Sequence, residues 1–306
     1  MTAAPPLPPA TARRVLVPFV LVTLIWGSTW LVIRDQIGTV PASWSVTYRF
    51  ALATVAMFGV AWATRAPLKL DRAAMAVAAV VGLCQFFGNF NLVYRAEASI
   101  TSGLVAVVFA LLVVPNVLLG RVLLGQSVSR PFLAGSAVAM VGVALLFDHE
   151  LRGAGTDAAA VAGGIAITLA AVLCASVANV TQGLPAARRT AMVPLIAWSM
   201  LVGTGLDAGY AWGTVGAPVF EWRWGYVAGI AYLGLAGSAL AFPLYFSVIR
   251  TIGPARAAYS SVLVPVIAMA LSTAFEGYRW SVQAGCGAVL VLAGLVVALR
   301  ARRPAR

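Results

Sequence analysis

"LVVPNVLLGRVLLGQ", residues 112–126, and "VLVPVIAMALSTAFE", residues 262–276, are two apolar stretches of one chain that match at an offset of 150 positions. The pairs of residues that keep this offset without a gap are Pro115 with Pro265, Gln126 with Glu276, Gly103 with Gly253 and Gly135 with Gly285. Glycine and proline are frequent in membrane helices, so chance recurrence is the alternative. The shared register favours an internal duplication.

The composition predicts an all-α integral membrane protein. Of 306 residues, 61% are hydrophobic and 10% are charged, whereas soluble domains carry about 25% charged residues. A helix needs about 20 apolar residues to cross the hydrocarbon core, and this length predicts ten transmembrane helices. The predicted spans are residues 15–33, 42–63, 73–94, 99–120, 131–147, 159–182, 191–211, 224–249, 256–275 and 281–299.

Basic residues predict the orientation of these spans. If the N-terminus is cytoplasmic and the spans alternate, 15 of the 21 Lys and Arg residues fall on the inner side and 5 on the outer side, with Arg49 inside a span. Loops rich in Lys and Arg stay in the cytoplasm, so both termini are expected there. Topology therefore explains the net charge of +12, and no nucleic-acid partner is expected.

Ten spans divide into two groups of five. A duplicated unit with an odd number of spans must insert in two opposite orientations, which gives the inverted repeats that transporters use for alternating access. We expect a disordered tail 1–14, a first repeat 15–150, an outer loop 151–158, a second repeat 159–300 and a basic cytoplasmic tail 301–306.

Pro115 and Pro265 occupy equivalent places in the two predicted repeats. Proline removes one intrahelical hydrogen bond and clashes with the preceding turn, so each helix is weakened at that point. We predict that both prolines act as hinges, and a static kink is the alternative for each.

The chain resembles the EamA-type exporters of the drug/metabolite transporter superfamily over nearly its whole length. The resemblance rests on "LIWGSTWLVIR" (24–34), on "PASWSVTYRFALA" (41–53), and on the Pro-to-polar spacing of "PNVLLGRVLLGQ" and "PVIAMALSTAFEG". It implies two EamA repeats, an inner-membrane location and export or exchange of small metabolites. The first repeat of this family usually ends its fourth span on an acid, and Gln126 departs from that pattern, whereas Glu276 keeps it.

Arg49 lies seven residues inside the second predicted span, about 10 Å along the helix axis. An arginine at the centre of a span costs about 2.5–3.5 kcal/mol on insertion scales, so its guanidinium needs a partner. We expect it to anchor a substrate carboxylate, or to form a gating ion pair with an acid such as Glu276. The alternative is that Arg49 snorkels outward to the lipid headgroups.

Polar and aromatic side chains within the spans predict a central cavity for a small-molecule substrate. Gln85 and Asn89 are four residues apart and Ser176 and Asn179 are three apart, so each pair shares a helix face. The alternative role for such residues is to hold helices together. The expected substrate-binding residues are Trp26, Ser28, Trp30, Arg49, Gln85, Asn89, Ser176, Asn179, Tyr245 and Tyr259.

The expected function is therefore secondary transport, as an exporter of small organic metabolites in the lipid bilayer. No cofactor, metal or catalytic residue is expected, because no Gly-rich phosphate loop precedes Lys69, the one lysine, and the three cysteines lack metal-binding spacing. A membrane-embedded enzyme and a non-transporting structural or sensory protein are the alternatives. The sequence carries no signal for an oligomeric state.

The positions of the acidic residues bear on how such a carrier would be driven. Glu97, Asp207 and Glu276 fall at the predicted outer ends of spans, whereas proton-coupled carriers often hold a carboxylate deeper in the membrane. This placement favours transport that is driven by the substrate gradient.

Overall fold

The apolar stretches of the sequence form helices throughout the described part of the computed structural model, which comprises residues 9–125, 129–154, 158–252, 260–277 and 279–300. A short helix, Pro185–Arg189, lies between the sixth and seventh long helices. The long helices are α1 (Pro9–Asp35), α2 (Ala42–Ala63), α3 (Arg72–Glu97), α4 (Ser102–Leu124), α5 (Arg130–Ala154), α6 (Ala158–Thr181), α7 (Met192–Val215), α8 (residues 224–252), α9 (Ser260–Phe275) and α10 (Val282–Arg300).

Seven of these helices are long and apolar enough to cross a membrane, namely α1 to α4 and α6 to α8. The other three contain shorter apolar segments, Arg130–Leu146, Leu263–Phe275 and Val282–Gly294. The predicted all-helical fold class is confirmed, and no strand occurs in the described ranges. The count of ten spans stays a prediction.

The predicted and observed helix bounds differ most at two places. α1 begins at Pro9 and not at residue 15, because proline is tolerated in the first turn of a helix, where its missing N–H has no partner to lose. α5 continues to Ala154, into the segment expected to be an outer loop. Residues 1–8 and the predicted tail 301–306 lie outside the described residues.

Three pairs of helices that are five apart in the chain pack against each other, namely α2 with α7, α4 with α9 and α5 with α10. α2 packs along α7, where Thr54 Oγ1 lies 3.2 Å from Thr204 Oγ1, and these two threonines are themselves 150 positions apart. α5 packs along α10 in the most extensive helix pair of the described residues. A Cβ atom added to Gly142 would lie 2.6 Å from the main-chain oxygen of Gly287. Small residues allow this close approach of two membrane helices.

α3 and α8 each depart from α-helical geometry in the middle. A π-helical segment covers Gly82–Asn89 in α3, and another covers Tyr232–Leu240 in α8. Such segments are rare and often lie at functional sites, because they change the direction of side chains on the helix. The two segments begin 150 positions apart, as the prolines and glycines of the opening comparison do.

The predicted hinge residues occupy different local settings. In α4 a 3₁₀ turn, Ala110–Leu112, precedes Pro115, as expected where a proline leaves the carbonyl of residue i−4 without its hydrogen bond. Pro265 lies inside the continuous helix α9. A hinge motion at either proline stays a prediction.

Candidate functional site

A cavity of about 120 Å³ lies in the middle of the bundle, between α1, α2, α3, α4, α6, α8 and α9. Its aromatic lining consists of Trp26, Trp30, Phe90, Phe109, Phe242 and Tyr245. Its polar lining consists of Thr29, Arg49, Gln85, Asn89, Asn179 and Ser260. The wall is thus mainly aromatic, with a few polar groups that can orient a bound molecule.

The structure brings together most of the predicted substrate-binding residues. Those that line the cavity are Trp26, Trp30, Arg49, Gln85, Asn89, Asn179 and Tyr245, and the predicted hinge residue Pro265 lines it too. Ser28 does not, because its hydroxyl lies 2.7 Å from that of Tyr232 and serves to join α1 to α8. Ser176 is buried within α6 and away from the lining. Tyr259 lies outside the described residues.

Sequence reasoning missed several members of the aromatic wall. Phe90 follows Asn89 directly, and Phe242 lies three residues before Tyr245, so helical spacing from a predicted residue is the signal that was available. Phe109 in α4 had no polar neighbour to mark it. Its ring centroid lies 5.4 Å from that of Trp30.

Arg49 is only 1% exposed and points into the protein. Its Nε donates to Ser238 Oγ at 3.2 Å, and its Cζ atom lies 4.3 Å from the ring centroid of Phe90 in a cation–π contact. Outward snorkelling is therefore wrong for this residue. The π-helical segment of α8 explains the contact, because it carries Ser238 and places Gly237 beside the guanidinium.

Three polar atoms of the cavity wall are buried and lack a hydrogen-bond partner among the described residues. They are Nη1 of Arg49, Nε1 of Trp30 and Oδ1 of Asn89. By contrast, Nε1 of Trp26 donates to the main-chain oxygen of Gly237 at 3.1 Å. Buried polar groups in proteins are nearly always paired, so three unpaired groups around one cavity indicate the place of a ligand.

One end of the bundle, here named the acid end, holds the C-termini of α1, α3 and α9 with Asp35, Glu97 and Glu276. Ser102 Oγ at the start of α4 donates to Glu276 Oε2 at 2.7 Å. A Cβ atom added to Gly103 would lie 2.7 Å from Met269 Sδ and 2.9 Å from Ser272 Cβ. α4 and α9 are therefore in close contact at this end.

The predicted gating pair is not formed in this conformation. Arg49 and Glu276 make no contact within 4.0 Å, and each has other partners. An ion pair between them stays a prediction for another state of the protein.

The burial of two acids differs from what their positions in the sequence suggested. Glu97 and Asp207 are both fully buried. Asp207 Oδ1 accepts from Asn91 Nδ2 at 2.6 Å at the contact of α7 with α3. Both carboxylate oxygens of Glu97 lack a hydrogen bond in the described structure. The premise that no buried acid is available for proton coupling is therefore wrong.

Comparisons with known proteins find relatives that match this chain over nearly its whole length. The "Protein PagO" of Salmonella typhimurium is 24% identical over 93% of this chain and 92% of its own length. The "Probable amino-acid metabolite efflux pump" of the same species is 27% identical over 94% of this chain and 96% of its length. The "Probable terminal-alkyne amino-acid exporter" of Streptantibioticus cattleyicolor is 27% identical over 91% of each.

A solved crystal structure superposes with a TM-score of 0.67 at 22% identity, and the match covers 96% of this chain and 99% of that one. The two chains therefore share a fold. The sequence model of the EamA-like transporter family matches residues 14–148 and again residues 162–300. Because these two matches cover most of the chain and agree with the motifs in α1, α2 and α9, the chain belongs to the EamA-like transporter family.

Proposed function

We propose that this protein exports small organic metabolites across the cell membrane by alternating access between two inverted five-helix halves. The observation that carries this proposal is the central cavity with its three unpaired polar groups. Membership of a transporter family implies a small-molecule substrate and a lipid environment. The cavity is where that substrate would bind.

The groups around the cavity favour a zwitterionic or amphipathic solute. Arg49 and Trp30 offer unpaired donors that suit a carboxylate, and the amide oxygen of Asn89 offers an acceptor that suits an amino group. No acidic side chain lines the cavity in the described residues, so a solute with an excess of positive charge is disfavoured. Two of the relatives are named for amino-acid compounds, and we propose a neutral amino acid or its relative as the substrate.

The packing supports two halves related by a two-fold axis. A helix that lies next to a two-fold axis packs against the equivalent helix of the other half. α2 lies against α7 in this way, and α5 lies against α10. The contact of Thr54 with Thr204 and the two π-helical segments keep the same 150-residue offset. Since five spans per half is an odd number, the halves would be inverted, and rocking them about the cavity would expose it to each side in turn.

The basic residues set the proposed orientation. Both termini lie in the cytoplasm, and the acid end faces the outer side. The contact of α4 with α9 then closes the outer side of the cavity in the present conformation.

Efflux from liposomes tests the proposal. The purified protein is reconstituted, and liposomes are loaded with each radiolabelled neutral amino acid in turn. We expect saturable efflux of at least one. Arg49→Gln should weaken it by roughly tenfold to a hundredfold, because a hydrogen bond to a charged group is worth about 1.5–3 kcal/mol. The control is Arg95→Gln, since Arg95 is exposed in the last turn of α3 and does not line the cavity.

Two outcomes contradict this function. One is that none of these amino acids is transported or bound. The other is that Arg49→Gln transports as well as the unmodified protein does, which would remove Arg49 from the binding site.

A further inference from the structure

Glu97 is a fully buried carboxyl group that no hydrogen-bond donor of the described structure reaches. It is the last residue of α3 and lies one helical turn beyond Val93, which lines the cavity. An ionised carboxylate without donors in a water-free site is strongly disfavoured, whereas a protonated one is tolerated. In this conformation the neutral, proton-bound form of Glu97 is the one that fits its surroundings.

The charged groups around Glu97 do not supply the missing donors. Arg34 of α1 donates to the main-chain oxygen of Glu97 and not to its carboxyl group. The guanidinium of Arg49 on α2 is directed to α8, and the hydroxyl of Tyr94 is directed to α1. The charges of Glu276 on α9, Arg34 and Arg49 act on Glu97, but none of these groups donates to its carboxyl oxygens. The described residues of α4 and α6 that pack against α3 present no charged side chain at this site, and Asp207 of α7, which also packs against α3, is bonded to Asn91.

Glu276 lies on the surface side of the acid end. It lines a groove of about 600 Å³ between α1, α8 and α9, together with Arg34 and Asp35. Glu276 is half-buried, and its Oε1 has no hydrogen-bond partner in the described structure. Glu276 therefore places an acidic group at the groove, on the same end of the bundle as Glu97.

Closure of the acid end excludes water from the carboxyl group of Glu97. The contact of Gly103 with Met269 and Ser272 holds α4 against α9 at this end. When the acid end opens, water reaches the carboxyl group and stabilises its ionised form. A bound proton thus stabilises the closed state, and by linkage the closed state binds the proton more tightly.

We propose that Glu97 is a proton-binding site that couples proton uptake from the outer side to closure of the acid end. The proton adds to a carboxylate oxygen of Glu97 and is released when water reaches that group. This inference rests on the proposed alternating access. It replaces the expectation that the substrate gradient alone drives the carrier.

Cysteine accessibility tests this site without any substrate. In a background in which Cys84, Cys174 and Cys286 are replaced by alanine, Ser272→Cys reports opening, because Ser272 is fully buried in the α4–α9 contact. Ser99→Cys, at an exposed turn, gives the intrinsic pH dependence of the thiol reaction. The rate of labelling with a charged maleimide is measured for each variant in detergent, from alkaline to acidic buffer. The readout is the labelling rate of Ser272→Cys divided by that of Ser99→Cys.

We expect the ratio to fall with falling pH, by up to about tenfold per pH unit, which is the limit for one linked proton. Glu97→Gln, which mimics the protonated group, should give a low ratio at every pH. Glu97→Asp keeps an ionisable group and should keep a pH dependence with a shifted midpoint. The matched control is Asp207→Asn, which neutralises the other fully buried acid and should leave the dependence intact.

A ratio that does not change with pH in the unmodified protein would overturn the proposal. So would a pH dependence that survives in Glu97→Gln, or one that Asp207→Asn abolishes. If Glu97→Gln does not fold, as judged by size-exclusion chromatography, the midpoint shift in Glu97→Asp decides. Failure of the efflux experiment alone would leave this labelling result unaffected, so the two proposals fail separately.

Discussion

The central cavity and the acid end both bury polar atoms that have no hydrogen-bond partner, yet these atoms face different surroundings. The free atoms of Arg49, Trp30 and Asn89 face an empty volume, whereas the carboxyl group of Glu97 is enclosed by packed side chains. An unpaired group that faces a void marks the place of a ligand. An unpaired ionisable group that is enclosed by protein marks a site whose protonation changes when the packing opens.

The largest expected effect comes from preventing closure of the acid end. Gly103→Val places side-chain atoms where Met269 and Ser272 already lie, so α4 and α9 cannot meet and net efflux from liposomes should be lost. Gly205→Val on α7, where a Cβ atom meets nothing within 4 Å, is the control and should transport normally. If Gly103→Ala also loses efflux, its restoration by adding Met269→Ala would show that the clash is the cause. Normal efflux in Gly103→Val would mean that this contact need not form.

A smaller effect is expected from removing one free donor in the cavity. Trp30→Phe keeps an aromatic ring against Phe109 and deletes the unpaired indole N–H. A neutral hydrogen bond is worth about 0.5–1.5 kcal/mol, so solute affinity should fall by roughly threefold to tenfold in equilibrium binding.

Trp26→Phe provides the contrast within the same wall. The indole of Trp26 is already paired with the main-chain oxygen of Gly237, so its loss should lower the melting temperature more than the solute affinity. If Trp30→Phe also acts only on stability, the free donors of the cavity do not bind the solute.

The smallest effect is expected at an acid whose surroundings are the opposite of those of Glu97. Asp71 caps α3 by accepting from the main-chain N–H of Ala74 at 2.7 Å, and this hydrogen bond, with the charge of Arg189, holds the pKa of Asp71 below its usual value. A depressed pKa contributes stability above the unfolded-state pKa, and that stability is lost as the pH falls through the folded-state pKa.

Asp71→Ala should therefore lower the melting temperature slightly at neutral pH and have less effect in acid. Asp71→Ser keeps a capping oxygen without a titrating group, so its loss of melting temperature should be smaller and should follow the same pH dependence. An equal loss at all pH values in Asp71→Ala would mean that the carboxylate charge is irrelevant to the cap.

Much of the helical architecture could be predicted because membrane helices need long apolar runs. α2 has the bounds that were expected, Ala42–Ala63, since Pro41 and the polar turn after residue 63 interrupt the pattern on both sides. The end of a helix was harder to place where charged residues that also suit a helix follow the apolar run. α3 is an example, since it continues to Glu97, past the predicted end at residue 94.

The cavity was predicted in part because its polar residues stand out in apolar helices. Gln85, Asn89 and Asn179 have few other reasons to lie in a span, and all three line the cavity. Phe109 and Phe242 could not be separated from lipid-facing phenylalanines, because an apolar side chain suits either side of a membrane helix. The burial of Glu97 depends on α1, α4 and α9 closing over it, and no local pattern encodes that.

The glycine contacts between α5 and α10 limit the kinds of motion that are open to the two halves. Main chains that touch at Gly142 and Gly287 cannot separate or slide without losing the dispersion contacts that hold them. Neither helix contributes a residue to the cavity wall. The pair α5 and α10 therefore acts as a fixed pivot. When the two halves rock, the displacement of any other helix should grow with its distance from the contact between α5 and α10.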